Sequence, residues 1–408
     1  MYYPPATRLI KTDVRQGCKW GDSKWCDFID GGNGCLYGIP TSAHRVVEFH
    51  VEHKSMKEIG PDLGDETCKY LNAIKANNGS IYCMPYKKNF LKITPGKGQS
   101  AEVQILEGKQ ILRGNAEVQI RRDDFYWESG ALADDDCIYY LPCIGGHILK
   151  LDPNNSDSLS LVGEEMYEGF KAAVLGNGYI YGISLGGIIK FSPTDHSLTH
   201  IGGTFEEQHS WAGGVLLGDG NIYAANDYGQ ILRIDTVQDN WEYIGSSVYN
   251  TKSYYWGRPV LGADKCIYFL PLCHDRVLKY NSTTQSISLI DKSCGDNNWK
   301  WEGGVLASDG FIYCVPYSAN SILQIDSRHV NEQVLDMIEN IYKGHEYVDD
   351  YVDEYLEGNI YEACKQTRDD PFDKQKCCIT IFYGYFVAIV AMRGQETKTP
   401  DYSYDLLI

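Results

Sequence analysis

No Cys-x-x-Cys occurs among the 14 cysteines, so the close thiolate pairs of structural zinc sites and dithiol redox motifs are missing. His-Glu-x-x-His and Gly-x-x-x-x-Gly-Lys are absent as well. No strand-to-helix nucleophile elbow of the Gly-x-Ser-x-Gly kind is expected either. Zinc proteolysis, nucleotide hydrolysis and acyl transfer therefore lack their usual local chemistry. Basic residues are scarce: 37 lysines and arginines stand against 55 aspartates and glutamates, a formal net charge of −18. A polyanion needs a basic face, so a nucleic-acid partner is not expected. The opening Met-Tyr-Tyr-Pro-Pro has neither the basic nor the apolar region of a secretory signal. The expectation is a cytoplasmic, reduced chain in which Asn-x-Ser/Thr at Asn78, Asn154 and Asn281 carries no glycan.

Proline is sparse too, 14 residues against 41 glycines and 31 tyrosines. That balance suits short strands and tight turns, since tyrosine fits a half-buried pleated surface and glycine supplies positive φ. A repeat gives it form. An apolar residue followed by tyrosine recurs at Leu36-Tyr37, Ile81-Tyr82, Ile138-Tyr139, Ile180-Tyr181, Ile222-Tyr223, Ile267-Tyr268 and Ile312-Tyr313, at intervals of 45, 57, 42, 42, 45 and 45 residues. A period near forty residues with Gly-rich turns predicts propeller blades. In the cleanest unit, Trp301–Ala307 reads as strand a, Ser308-Asp309-Gly310 as a hairpin turn, Phe311–Pro316 as strand b and Ile322–Asp326 as strand c. A fourth run such as Ser286–Ile290 closes each sheet.

Eleven residues before the repeated pair stands an aromatic in six copies: Trp25, Tyr70, Trp127, Trp211, Trp256 and Trp301. Recurrence in unit after unit predicts wedges packed between blades, although a ring of stacking platforms has the same spacing. The cysteines beside the pair, Cys35, Cys137, Cys266, Cys83 and Cys314, read as small buried hydrophobes, with no metal and no cofactor expected.

The sequence predicts an all-β, seven-bladed β-propeller of four-stranded antiparallel blades. Residues 1–23 form a closing strand and linker, 24–337 the propeller, and 338–408 an acidic then apolar tail, irregular or partly helical. Leu9 to Trp20 resembles Leu289 to Trp299, so Thr7–Lys11 is expected to complete the seventh blade and remove its exposed edge. Glu332–Met337, next in direct order, competes for that place. The longest interval holds a duplication, Ala101–Ile105 repeated at Ala116–Ile120, expected to extend strand d or its loop. In the tail, Cys377–Met392 is uncharged over sixteen residues, short of the roughly 20 that span a bilayer; an anchor and a strand remain alternatives.

The string Gly303-Gly304-Val305-Leu306-Ala307-Ser308-Asp309-Gly310-Phe311-Ile312-Tyr313, with Ile322-Leu323-Gln324-Ile325-Asp326 after it, resembles in pattern the blades of kelch-like and quinoprotein-like propellers. Those families place a Gly-rich inner strand before an aromatic second strand. The resemblance covers about residues 24–337. The later tryptophan of kelch repeats and the Gly-His and Trp-Asp pairs of WD40 repeats have no counterpart, so no family's partners carry over. Nor does a quinone: Cys377-Cys378, similar to the adjacent cysteines of some quinoprotein dehydrogenases, lies outside the repeat.

Two sets of positions vary on this frame. The third residue from each aromatic, Asp27, Asn72, Ser129, Lys171, Gly213, Arg258 and Gly303, is expected to line the channel, as a hydrated ring or as a small-ligand site. The b–c loops supply His44, Arg45, Tyr86, Lys87, Lys88, His147, Asp227, Tyr228, His274, Arg276 and Tyr317, residue types suited to a contact rim. The expectation is a monomeric, non-catalytic binding or scaffold module holding a protein or small ligand on that rim. The alternative is a lyase or hydrolase at the channel mouth, with His147 or His274 as base and Asp27 or Asp275 as its partner.

Overall fold

In the computed structural model the chain divides into two units, Tyr2–His329 and a second made of Met1 with Val330–Ile408. The structure describes residues 7–11, 23–85, 89–107, 127–205, 211–226, 229–245, 256–290, 293–295 and 299–328, all in the first unit. They form seven four-stranded antiparallel sheets. Blade 1 runs outwards in chain order through Trp25–Asp30, Cys35–Pro40, Val46–His50 and Ser55–Ile59. The inner strands of blades 2 to 6 are Tyr70–Lys75, Trp127–Leu132, Phe170–Gly176, Trp211–Leu216 and Pro259–Leu261. Each inner strand lies against the next, and that of blade 7, Gly304–Leu306, lies against blade 1, which closes the ring. The chain is a seven-bladed β-propeller.

The repeated pair sits in the second strand, where both faces meet a neighbouring blade. Ile138, Ile180, Ile222, Ile267 and Ile312 are fully buried and the tyrosines nearly so. A buried phenol needs a partner. The turn aspartate four residues earlier provides it: Tyr139 donates to Asp135, Tyr223 to Asp219 and Tyr268 to Asp264 at 2.8 Å, and Tyr313 to Asp309 at 2.7 Å. The other carboxylate oxygen of each accepts a backbone N–H two residues on, as Asp264 does from Cys266 at 3.1 Å. Lys150 and Lys279 pair with Asp135 and Asp264 from the third strand. The turn aspartate thus fixes the hairpin and caps the tyrosine.

Thr7–Lys11 is the outer strand of blade 7, in register from Thr7 against Ile325 to Lys11 against Ser321. Ile10 reaches a core that includes Trp25, Phe49 and Tyr313. Glu332–Met337, Ala116–Ile120 and the tail from 338, with its apolar run, lie outside the described residues. Strand a of blade 7 is shorter than expected, because Trp301–Gly303 leaves the ladder: the Glu302 carbonyl accepts from Arg258 N–H at 2.7 Å. All six strand-a aromatics are buried as inter-blade wedges.

Candidate functional site

In an antiparallel a-b-c-d blade, the start of strand a, the b–c loop and the d–a linker share one face. On that face the a–b register breaks in blades 1 to 5, between Trp25 and Phe28, Tyr70 and Asn72, Trp127 and Ser129, Phe170 and Ala172, and Trp211 and Gly214. Such bulges re-aim side chains.

Asp27 and Ser129 are buried, and Asn72, Lys171 and Arg258 half-buried. Arg258 carries the widest set of contacts. Its guanidinium bonds Asp27 Oδ2 at 3.0 Å and the Leu71 carbonyl, and stands 3.7 Å from Glu302 Oε1. It links blade 6 to blades 7, 1 and 2, and blade 2 lies nearly opposite blade 6 in a ring of seven. Lys171 pairs with Glu128 of the neighbouring blade. Asp27 Oδ1 and Asn72 Oδ1 each accept the next backbone N–H, at 2.8 and 2.7 Å. Glycine at the remaining two places leaves room for these side chains: a Cβ at Gly303 would fall 2.4 Å from Asp27 Oδ1, and one at Gly213 3.5 Å from Arg258 Cγ.

Burial raises Asp27 to about 6, with Arg258 opposing. Glu302 is raised to about 7, again by burial against Arg258, with Asp27 and Glu128 adding to the rise. Burial works against the Arg258 charge, but Asp27 and Glu302 outweigh it and hold the guanidinium above its ordinary value. The mouth thus holds two carboxyls whose hold on a proton is raised, around a fixed cation.

The rim residues are engaged locally. His44 meets Asp62 at 3.3 Å and Asp65 at 2.9 Å on the following linker, and Arg45 donates to the Gly60 carbonyl. His147 is the second residue of strand c, Gly146–Asp152, with Nδ1 3.2 Å from the Gly163 carbonyl. His274 stacks on Trp256 at 4.7 Å, and its Nδ1 lies 3.0 Å from the Arg276 backbone nitrogen, 3.2 Å from Asp275 Oδ1 and 3.3 Å from the Arg276 carbonyl oxygen. Burial, against the pull of Asp275, lowers that imidazole below its ordinary value. Arg276 Nε is 3.7 Å from Asp275, and burial lifts the Tyr317 phenol to about 12. Tyr86, Lys87, Lys88, Asp227 and Tyr228 lie outside the described residues. Among the described residues no group of three or more His, Cys, Asp or Glu side chains is disposed to hold a metal ion.

Several residues of the mouth and rim escape the sequence reading. Glu128 and Glu302 follow the aromatics directly, and the irregular start of strand a brings them into the mouth. Lys24, Lys69 and Lys300 precede an aromatic and are buried. Each reaches into the b–c loop of the preceding blade: Lys24 to the Ala319 carbonyl, Lys69 to that of Ser42 at 3.2 Å, and Lys300 to that of His274 at 3.0 Å. Indole N–H groups brace the loops from within their own blades, from Trp25 to Arg45 O, Trp127 to His147 O, Trp256 to Arg276 O and Trp301 to Ser321 O, at 2.8–3.1 Å. A Lys-aromatic pair at three of seven repeats was the available signal. Contrary to the expectation from motifs, one Gly-x-Ser-x-Gly string is present, Gly182 to Gly186. It lies in a β-hairpin, where the buried Ser184 hydroxyl accepts from Gly186 N–H and Gly187 N–H at 3.1 and 3.0 Å, so it forms a turn and no elbow.

No protein-family model and no curated protein matches the sequence. Solved structures share the fold. A streptogramin B lyase superposes with a TM-score of 0.60 at 13% identity, over 78% of this chain and 96% of that one. YCF48 bound to D1 peptide gives 0.56 at 11% identity, over 81% and 98%. Kuenenia stuttgartiensis hydrazine synthase gives 0.55 at 12% identity, over 77% and 99%. The class is the β-propeller, and its members here differ in role, from lyase to peptide-bound protein.

Proposed function

We propose that this protein is a cytoplasmic, monomeric, non-catalytic binding or scaffold module that holds a protein or small ligand on the b–c loop face. His44, Arg45, Tyr86, Lys87, Lys88, His147, Asp227, Tyr228, His274, Arg276 and Tyr317 are its proposed contact residues. The observation that carries this reading is the bracing of the rim, in which buried lysines and indoles hold loop carbonyls from below. A rim fixed before binding loses little entropy on binding. Affinity capture with the full chain tests it. Reversing charge at Lys87, Lys88 and Arg276 should release the bound partner, and retention of every co-purifying protein rejects the face.

A second reading, a lyase- or hydrolase-type enzyme at the mouth, is favoured by one observation. Asp27 and Glu302 are raised to about 6 and about 7, where a carboxyl serves as general acid or base. Metal analysis and a metabolite thermal-shift screen separate the two: a stoichiometric metal or a strong shift favours catalysis.

A further inference from the structure

One sector of this face differs from the rest. The b–c loop of blade 3, the linker 167–169 and the b–c loop of blade 4 lie side by side. A Cβ on Gly145 would stand 2.9 Å from the Met166 carbonyl oxygen and 3.5 Å from Tyr167 Cα, and one on Gly169 would collide with the Cys143 carbonyl. On the other flank Phe170 pairs with Ser184, whose hydroxyl lies 3.3 Å from the Glu168 carboxylate, and Leu185 follows Ser184 in that loop. Three large apolar side chains on this strip face water: Ile144 is 67% exposed, Tyr167 91% and Leu185 40%. Single exposed apolar residues need no explanation, but adjacent ones on a binding-type face do.

The strip has an acidic edge. The strand register jumps from Gly146–Met166 to Ile148–Val162, so Gly163, Glu164 and Glu165 bulge out, with Gly163 at φ +72°. Both glutamates are exposed, and half-buried Glu168 adds a third carboxylate. The nearby cation, Lys171, is already held by Glu128.

We infer that this strip docks a partner-protein segment presenting an apolar side chain between lysines or arginines. The inference rests on the b–c face reading and narrows it to blades 3 and 4. Tyr167 supplies a large amphipathic contact at low entropy cost, the aliphatic pair buries the partner's apolar group, and the carboxylates select cations on either side. A second copy of this chain fits poorly, since each copy carries a net charge of −18.

The test is fluorescence anisotropy with the full chain and three labelled peptides: Arg-Lys-Leu-Phe-Lys-Arg, Glu-Glu-Leu-Phe-Glu-Glu and Arg-Lys-Ser-Ser-Lys-Arg. The first should bind about tenfold more tightly than either other, and Ile144→Ser with Leu185→Ser should remove about tenfold of that affinity. Glu164→Gln with Glu165→Gln should weaken it about fivefold and flatten its salt dependence. All four positions are on the surface, so unchanged melting temperatures verify folding. Equal binding of the three peptides, or wild-type affinity in the Ile144/Leu185 variant, overturns the proposal. If binding is lost instead in His44→Ala with Arg276→Glu, the face stands and the sector is wrong. If neither pair matters, both readings fall. Self-association by sedimentation that disappears in the Ile144/Leu185 variant makes the occupant a second copy, which also overturns it.

Discussion

The Arg258 guanidinium of blade 6 pairs with the Asp27 carboxylate of blade 1 at 3.0 Å, with blade 7 standing between them in the ring. The pair joins parts of the chain 231 residues apart, and Glu302 of the intervening blade shares the same cation at 3.7 Å.

Both carboxyls are raised in the fold, Asp27 to about 6 and Glu302 to about 7, from ordinary values of 3.8 and 4.5. The folded state therefore binds protons more tightly than the unfolded chain. Their contribution is most favourable below the ordinary values and is lost as pH rises through 6 to 7. Melting curves of wild type and Asp27→Asn/Glu302→Gln should converge below about pH 4 and separate as pH rises to about 8, with the variant the more stable at the alkaline end. A gap that does not vary with pH rejects this account.

Arg258→Met leaves two carboxylates at the mouth without their cation. Breaking a buried pair from one side costs about 3–5 kcal/mol. The loss should be largest near pH 8 and shrink towards pH 5 as the carboxyls take up protons. Urea titrations at the two pH values measure it, and an equal loss at both contradicts the pairing.

Asp135 and Asp264 hold the same three partners in blades 3 and 6, a tyrosine hydroxyl, a lysine and a cysteine N–H. Alanine at Asp264 should cost about 2–3 kcal/mol, since the Tyr268 phenol loses its acceptor and Lys279 its partner, and alanine at Asp135 should cost less, because the Tyr139 hydroxyl also reaches the Pro193 carbonyl at 3.3 Å. Equilibrium denaturation should return the larger value at Asp264. A cost at one site and none at the other would show that the blades do not share the device.

Removing residues 1–11 uncovers the edge of Ser321–Asp326, with its apolar Ile322, Leu323 and Ile325. An open strand edge recruits other chains. The truncated protein should melt lower and elute as dimers or larger species in size-exclusion chromatography. A monomer of unchanged melting temperature would mean that another strand can seal the ring.

The architecture was readable because its determinants are local. Ile-Tyr with a turn aspartate four residues earlier is a self-contained hairpin, and Leu9 to Trp20 betrayed its origin by likeness to Leu289 to Trp299. The mouth was half readable. Counting from the aromatic found Asp27 and Arg258, but the register breaks shift which residue faces the axis, so Glu128 and Glu302 went unseen. Exposure of Ile144, Tyr167 and Leu185 arises from how two loops and a linker meet, which no spacing encodes.

Lys300, Lys24 and Lys69 staple blade 6 to 7, 7 to 1 and 1 to 2. A circular assembly made from a linear polymer is weakest where its two ends meet, because no covalent link crosses that gap. These three lysines lie on the arc containing the gap. The opposite arc, the one that bears Ile144, Tyr167 and Leu185, is joined by continuous chain through residues 167–169 and by the Lys171–Glu128 pair.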